Sequence, residues 1–321
     1  MKNKILILSG DPNSINSELI YKSWKAINPL IRKNIYFISN YKLLHKQFLK
    51  LNYPIKLALI DNLNDQTESN RLKILNIDLK FKDPFNVQKR DASKFILNSL
   101  DYAHNLALQN NIKGIINCSI NKKLLIKKNI GVTEYLSKKC GIKNNSEVML
   151  IRSDNLAVSP VTTHIDVKNI SNQIKSSAII NKIKTIEVWF RKNLNRSAKF
   201  GVLGLNPHNA ELRKYSEEKK IIMPAIKKVK KMGINVKGPL VADTLFVNDY
   251  TNYDIILGMY HDQVLAPFKA IYKFNAINVT LGLKYLRASP DHGTATDIIG
   301  KNIGKAKSLI NCIKFINKFG K

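Results

Sequence analysis

The sequence predicts an α/β protein with a largely parallel sheet. Three observations carry this. Short apolar runs of buried-strand type recur along the chain, stretches of helical period stand between them, and Gly, Pro, Asn or Asp residues punctuate the run ends. The length of 321 residues sets a prior of two domains.

Taken in order, Ile5-Leu6-Ile7-Leu8 is the first strand, and Gly10-Asp11-Pro12 breaks it. A helix is predicted from Ser17, with Glu18 favourable in its first turn. Ile35 to Ile38 and Ile55 to Ile60 are the next strands. Residues 93–109 place Phe95, Ile96, Leu100, Ala103, Leu106 and Ala107 at helical spacing, and Gly114-Ile115-Ile116 follows as a strand. Met149 to Ile151 and Leu156 to Val158 predict a strand pair, and residues 169–194 a mainly helical stretch. Phe200 to Leu205 predicts a strand that ends at Asn206-Pro207-His208. An amphipathic helix follows over 217–232, with Gly233 as its C-cap. Ile255 to Leu257 ends at Tyr260-His261-Asp262, and Asn278 to Leu283 is the last clear strand.

Composition excludes several classes. With 44% apolar and 24% charged residues the chain is globular and not disordered. No apolar run reaches the ~18–20 residues of a membrane span. The opening stretch carries only five apolar residues before Gly10. That is below the ~7 of a signal-peptide core, so a cytoplasmic protein is expected. Cys118, Cys140 and Cys312 are odd in number and form no CxxC, which argues against a disulfide framework or a cysteine zinc site. The net charge is +30, from 53 Lys+Arg against 23 Asp+Glu. Such a balance raises nucleic acid as a partner. The lysines are spread over the whole chain, however, and Lys, Asn and Ile, all with A/T-rich codons, are abundant throughout. A solvated basic surface is the preferred reading, with no nucleic-acid and no membrane partner. A non-catalytic basic binding protein is kept as an alternative.

His45 and His104 sit in helix-like stretches without polar company and read as structural. The other four histidines, His164, His208, His261 and His292, lie in loops just after or close to apolar strands. Ligands of open α/β sheets bind beyond the carboxyl ends of the strands, and converging imidazoles there suit a divalent metal.

The runs VTTHI (161–165), GLNPH (204–208), GPLVADTLF (238–246), MYHDQ (259–263), NVTLGL (278–283) and DHGTATDIIG (291–300) resemble the 4-hydroxythreonine-4-phosphate dehydrogenase family of pyridoxal phosphate biosynthesis. Their order and approximate spacing match too. The resemblance covers nearly the whole chain, less closely in its N-terminal third. It implies two α/β domains flanking a cleft, similar to the isocitrate and isopropylmalate dehydrogenase fold. The expected domains are 1–135 plus 286–321, and 136–285, the second carrying the metal-site histidines and dimer contacts. A homodimer with active sites at its interface is implied as well.

The implied reaction oxidises 4-phosphohydroxy-L-threonine with NAD (or NADP) to a β-keto acid that decarboxylates to 3-amino-2-oxopropyl phosphate. By motif His164, His208 and His261 hold the metal. Three imidazoles favour zinc, with cobalt or magnesium as alternatives. Substrate binding falls on Thr133, Lys269, Asn278 and Arg287, where the two cations suit a phosphorylated amino acid. Asp243 and Asp262 are candidates for orienting ligands or moving protons, or else turn and capping residues. His292 lies in a loop expected to open a helix, where an anion or cofactor could sit. No GxGxxG follows the first strand, so no cofactor-contacting residue is assigned.

The chain departs from the family in four places. Val132 replaces a substrate-site His before Thr133-Glu134, and Cys118 to Lys122 replaces a Gly-Pro-x-His-Lys run. Ser14 and Asn16 stand where the first loop normally has glycines, and Asn209 to Arg213 replaces a Gly-rich stretch. Glycine permits positive φ, so these changes are expected to reshape the cleft. A related phosphorylated hydroxy acid, such as 4-phospho-threonate, is the alternative substrate.

Overall fold

The computed structural model describes residues 3–65, 67–68, 70–109, 112–128, 131–142, 146–273 and 275–320. The chain forms two compact units, residues 1–140 with 283–321, and residues 141–282. The strands are β1 (Lys4–Leu8), β2 (Ile35–Ser39), β3 (Leu57–Ile60), β4 (Leu72–Asn76), β5 (Ile112–Asn117), β6 (Val148–Arg152), β7 (Ala157–Pro160), β8 (Phe200–Leu203), β9 (Val236–Leu240), β10 (Ile255–Gly258), β11 (Ile277–Leu281) and β12 (Leu286–Pro290).

In the first unit the strand order is β3-β4-β2-β1-β5-β12, and every neighbouring pair is parallel. Ile5, Leu6 and Ile7 of β1 are fully buried, as a continuous apolar run requires when both faces of a parallel sheet are covered. Each such side chain contributes about 1.5–3 kcal/mol. The helices Asn16–Ala26, Tyr41–Lys50, Lys89–Gln109 and Lys307–Phe319 belong to this unit. The second of them starts at Asn40, whose Oδ1 accepts the Leu43 N–H at 2.9 Å.

In the second unit the order is β11-β6-β7-β10-β8-β9. The pairs β11-β6 and β6-β7 are antiparallel. From β7 through β10 and β8 to β9 the sheet is parallel. Val158, Leu203, Ile256, Val264 and Phe268 form its core, all fully buried. Helix Ser176–Leu194 ends at Asn195 with φ 53°, the left-handed turn of a helix C-terminus. The amphipathic stretch at 217–232 begins as a π-turn, Glu218–Ile222, and becomes an α-helix only at Met223–Lys231. Pro224 has no N–H to donate, so the regular ladder cannot run through it. Gly233 follows the helix at φ 74°, as predicted.

Three strands escape the sequence reading: β4, β9 and β12. Among the described residues no helix is long and apolar enough to cross a membrane. All three cysteines are free and buried. Burial pushes the Cys118 thiol up to about 12, so it stays protonated and unreactive.

Candidate functional site

The parallel strands β7, β10 and β8 lie side by side in the second unit. Each hands its carboxyl end to a loop that bears a histidine: β7 leads to His164, β8 to His208 and β10 to His261. Parallel strands put all three loops at one end of the sheet, where the dipoles and open loops of this architecture meet ligands.

His164 and His261 are neighbours, with ring centroids 6.1 Å apart. Around a tetrahedral cation with metal–nitrogen bonds of about 2.0–2.1 Å the two centroids would lie about 5 Å apart, so the rings stand about 1 Å wider than one shared cation requires. His261 opens the helix His261–Tyr272, and its Nδ1 lies 2.6 Å from Asp262 Oδ1. With Nδ1–H donating to the carboxylate, Nε2 is left with the lone pair a metal needs. His208 does not join them: among the described residues, no three His, Cys, Asp or Glu form a group able to hold a metal.

The backbone at His208 is unusual. His208, Asn209, Ala210, Glu211 and Leu212 all have positive φ, between 47° and 56°. No glycine occurs among them, so the left-handed path survives without the residue type that adopts it at least cost. The segment before it is anchored by Glu218, which is fully buried. Burial raises the Glu218 pKa, but the hydrogen bonds from Asn206 and Leu205 outweigh it and hold the carboxyl below its ordinary value.

In the first unit a second polar group forms around β5 and β12. Arg287 is 3% exposed. Its Nε donates to Asn117 Oδ1 at 2.7 Å, Nη1 to Thr133 Oγ1 at 3.0 Å and Nη2 to Ser289 Oγ at 3.4 Å. Burial lowers its pKa to about 10, which leaves it charged at neutral pH. Thr133 and Arg287, named from the sequence, are thus in direct contact, and Asn117 is a partner the sequence reading missed. Val132 opens the helix Val132–Lys139 that presents Thr133.

The other named residues stand apart. Lys269 is half-buried, two turns beyond His261 on the same helix. Asn278 lies on β11 with a buried Oδ1 that has no hydrogen-bond partner. Asp243 is exposed in the short helix Ala242–Leu245.

Two expectations are corrected. His104 does have polar company: its Nδ1 lies 2.9 Å from Tyr285 Oη, a partner too distant in sequence to be read from local pattern. The loop at His292 opens no α-helix. Ala295 takes φ 47° and only the 3₁₀ turn Thr296–Ile298 follows, because a left-handed residue interrupts helical propagation. Ser119 Oγ lies 2.9 Å from His292 Nδ1, while Nε2 is buried without a partner.

A family model described as pyridoxal phosphate biosynthetic protein PdxA matches residues 31–316. A 4-hydroxythreonine-4-phosphate dehydrogenase of Sulfurihydrogenibium sp. is 34% identical over 318 residues, 97% of this chain and 96% of that protein. A candidate D-threonate 4-phosphate dehydrogenase of Oceanobacillus iheyensis is 31% identical over 321 residues, 96% of this chain and 95% of that one. The crystal structure of 4-hydroxythreonine-4-phosphate dehydrogenase from Klebsiella pneumoniae matches with a TM-score of 0.84 at 26% identity, over 100% of both chains. With its motifs in place along nearly the full length, the chain belongs to the PdxA family of pyridoxal phosphate biosynthetic proteins.

Proposed function

We propose that this chain is a metal- and NAD-dependent dehydrogenase that oxidises 4-phosphohydroxy-L-threonine, with loss of carbon dioxide from the β-keto acid product. The observation that carries this is the delivery of His164, His208 and His261 from the carboxyl ends of three adjacent parallel strands in a PdxA-family chain. These three imidazoles would hold a divalent cation, zinc by ligand preference. Such a cation supplies Lewis acidity toward the alcohol and enolate oxygens, and a nicotinamide supplies the hydride acceptor.

The chain's own residues do the rest. Asp262 Oδ1 accepts the proton on His261 Nδ1 and so orients the ring. Arg287 offers a guanidinium preset by Asn117, so little ordering is lost when an oxyanion docks. Thr133, Lys269 and Asn278 are the further substrate contacts that the family motifs imply, and the orphaned Asn278 Oδ1 suits an ammonium or hydroxyl donor. Asp243 is the candidate for proton transfer. The Gly293 carbonyl, 2.9 Å from His292 Nδ1, takes the ring proton, so the unpartnered Nε2 suits a ligand donor such as a cofactor hydroxyl.

We infer further that a homodimer completes the centre. Two of the three rings adjoin within one chain, while no group of three forms there. Mixing inactive His164→Ala and His208→Ala variants and assaying recovered activity tests this, since complementation requires shared sites.

Turnover assay with NAD, Zn²⁺ or Co²⁺ and the phosphorylated amino acid tests the main reading. Absence of NADH formation by folded, metal-loaded protein rejects the substrate. A second reading, 4-phospho-threonate, is favoured by Val132 in place of His and by the Oceanobacillus relative. Its test is a substrate panel, in which turnover of the amino acid alone removes it.

A further inference from the structure

The loops that carry the histidines are wired to one another through side chains outside the three ligands. Gln263 lies in the first turn of helix His261–Tyr272 and uses both ends of its amide. Its Oε1 accepts the Met259 N–H at 2.7 Å, which closes the loop bearing His261. Its Nε2 donates to Gly204 O at 2.7 Å, which reaches the loop bearing His208.

Thr162, two residues before His164, grips the same strand end from the other side. Its backbone N and its Oγ1 both donate to Met259 O, at 3.1 and 2.7 Å. Met259 is fully buried, so its N–H and C=O are both held in a place where an unmade hydrogen bond is costly. Beyond Gly204 the anchoring continues. Glu218 accepts from Leu205 N and Asn206 N, each at 2.8 Å, and Glu217 Oε2 accepts from Asn206 Nδ2 at 2.8 Å.

Two glycines show how tightly this frame is built. A Cβ at Gly258 would lie 2.4 Å from Val264 Cγ1 and 3.0 Å from Gln263 Oε1. A Cβ at Gly204 would lie 2.0 Å from Asn209 Oδ1 and 3.2 Å from Glu218 Oε1. Val264 at the first position and Asn209 at the second would have to move before a side chain fitted, with Gln263 and Glu218 close behind them.

We propose that Gln263 is a positioning residue that holds the His208 and His261 loops of one chain in fixed register, with Glu218 as the anchor of the first, so that each loop presents its imidazole correctly to a centre shared with the partner subunit, and so tunes affinity for the divalent cation. This rests on the three-imidazole reading above. It extends that reading to residues that touch no ligand. Outer-shell partners of metal ligands are worth about 10–100-fold in affinity, and Gln263 acts on two ligand loops at once.

The test is Co²⁺ titration of the whole protein, read by absorption and calorimetry, with the melting temperature of the metal-free form measured alongside. Gln263→Met keeps the side-chain length and removes both hydrogen bonds. Its expected effect is a 10–100-fold loss of Co²⁺ affinity. The control is Gln47→Met in the other unit, where Gln47 donates to Pro12 O and Pro84 O at 2.9 and 2.7 Å. That variant is expected to lower the melting temperature without moving Co²⁺ affinity. If Gln263→Met does not fold, Gln263→Asn carries the same test, because the amide is kept and only its reach is lost. Co²⁺ affinity within twofold of the parent in the folded Gln263 variant overturns the positioning role. Parent protein whose Co²⁺ binding is indifferent to His261→Ala overturns the three-imidazole reading itself, and this inference with it.

Discussion

Arg287 donates its Nε–H to Asn117 Oδ1 at 2.7 Å, although the two residues are 170 positions apart in sequence. The bond joins β5 to β12, neighbouring parallel strands of the first unit, and fixes one edge of a buried guanidinium. Asn117→Leu removes the acceptor and leaves a buried charged donor unpaired. Urea unfolding is expected to show a loss of about 1.5–3 kcal/mol. A loss under half of the lower figure would mean that water or a neighbour takes over the bond.

Arg287→Lys keeps a positive charge and loses the fork. Lysine cannot reach Asn117, Thr133 and Ser289 together while presenting a flat face to an oxyanion. KM for the phosphorylated substrate is expected to rise by roughly tenfold or more, since one charge-assisted bond of about 1.5–3 kcal/mol is worth that factor. Steady-state kinetics check it, and an unchanged KM would remove Arg287 from the substrate contacts.

The same arginine shows what local sequence pattern conceals. Strand β12 reads Leu-Arg-Ala-Ser-Pro, and a cation at its second position with Ser and Pro at its end breaks the apolar run that marks other strands. Strand β4 is interrupted by Lys73 in the same way, and β9 contains Gly238-Pro239. Both cations are buried because their partners arrive from elsewhere in the chain: Asn117 for Arg287, the Lys33 carbonyl for Lys73. The uninterrupted runs Ile5–Leu8, Ile35–Ile38 and Ile255–Leu257 were legible because burial needs no partner there. For the site, the histidine-bearing loops were legible as polar stops after apolar strands. The wiring through Gln263 and Glu218 was not, although Gln263 sits inside the motif MYHDQ, since a hydrogen bond to Gly204 or Asn206 leaves no trace in spacing.

Lys73 makes a pH prediction. Its Nζ donates to Lys33 O and lies 3.8 Å from the centroid of the Tyr36 ring. Burial, helped by the charge of Lys4, lowers its pKa from 10.5 to about 8. Between these values the unfolded chain binds the proton that the folded chain has released, so stability rises with pH across that window. Lys73→Met is expected to abolish this rise. Denaturant midpoints of both proteins between pH 8 and 10.5 decide it, and parallel curves would refute the assignment.

Asp262 is exposed, with 82% of its side-chain surface accessible, so its hydrogen bond with His261 adds little to stability. Its effect is on the ring: the carboxylate selects the tautomer that leaves Nε2 free. Asp262→Asn is therefore expected to leave the melting temperature within a degree or so, in keeping with the small stability effects of exposed substitutions. Co²⁺ affinity should fall about 10–100-fold. A drop in melting temperature with affinity unchanged would make Asp262 a helix-start residue and nothing more.

The left-handed run at 208–212 gives the last prediction. Each non-glycine residue in this conformation costs about 1–2 kcal/mol relative to the right-handed region. Glu211 and Leu212, at φ 47° and 55°, are exposed, so their side chains recover little of that cost by packing. Ala210, by contrast, is 4% exposed, and its methyl group contributes burial. Glycine at 211 or 212 relieves the strain but adds freedom to the unfolded chain worth about 0.5–1 kcal/mol. The balance predicts that Glu211→Gly and Leu212→Gly each stabilise the protein by roughly 0.5–1 kcal/mol. Ala210→Gly should gain less than either. Thermal unfolding of the three variants checks both the sign and the order. Destabilisation by Glu211→Gly and Leu212→Gly together would mean that the backbone there is right-handed in solution.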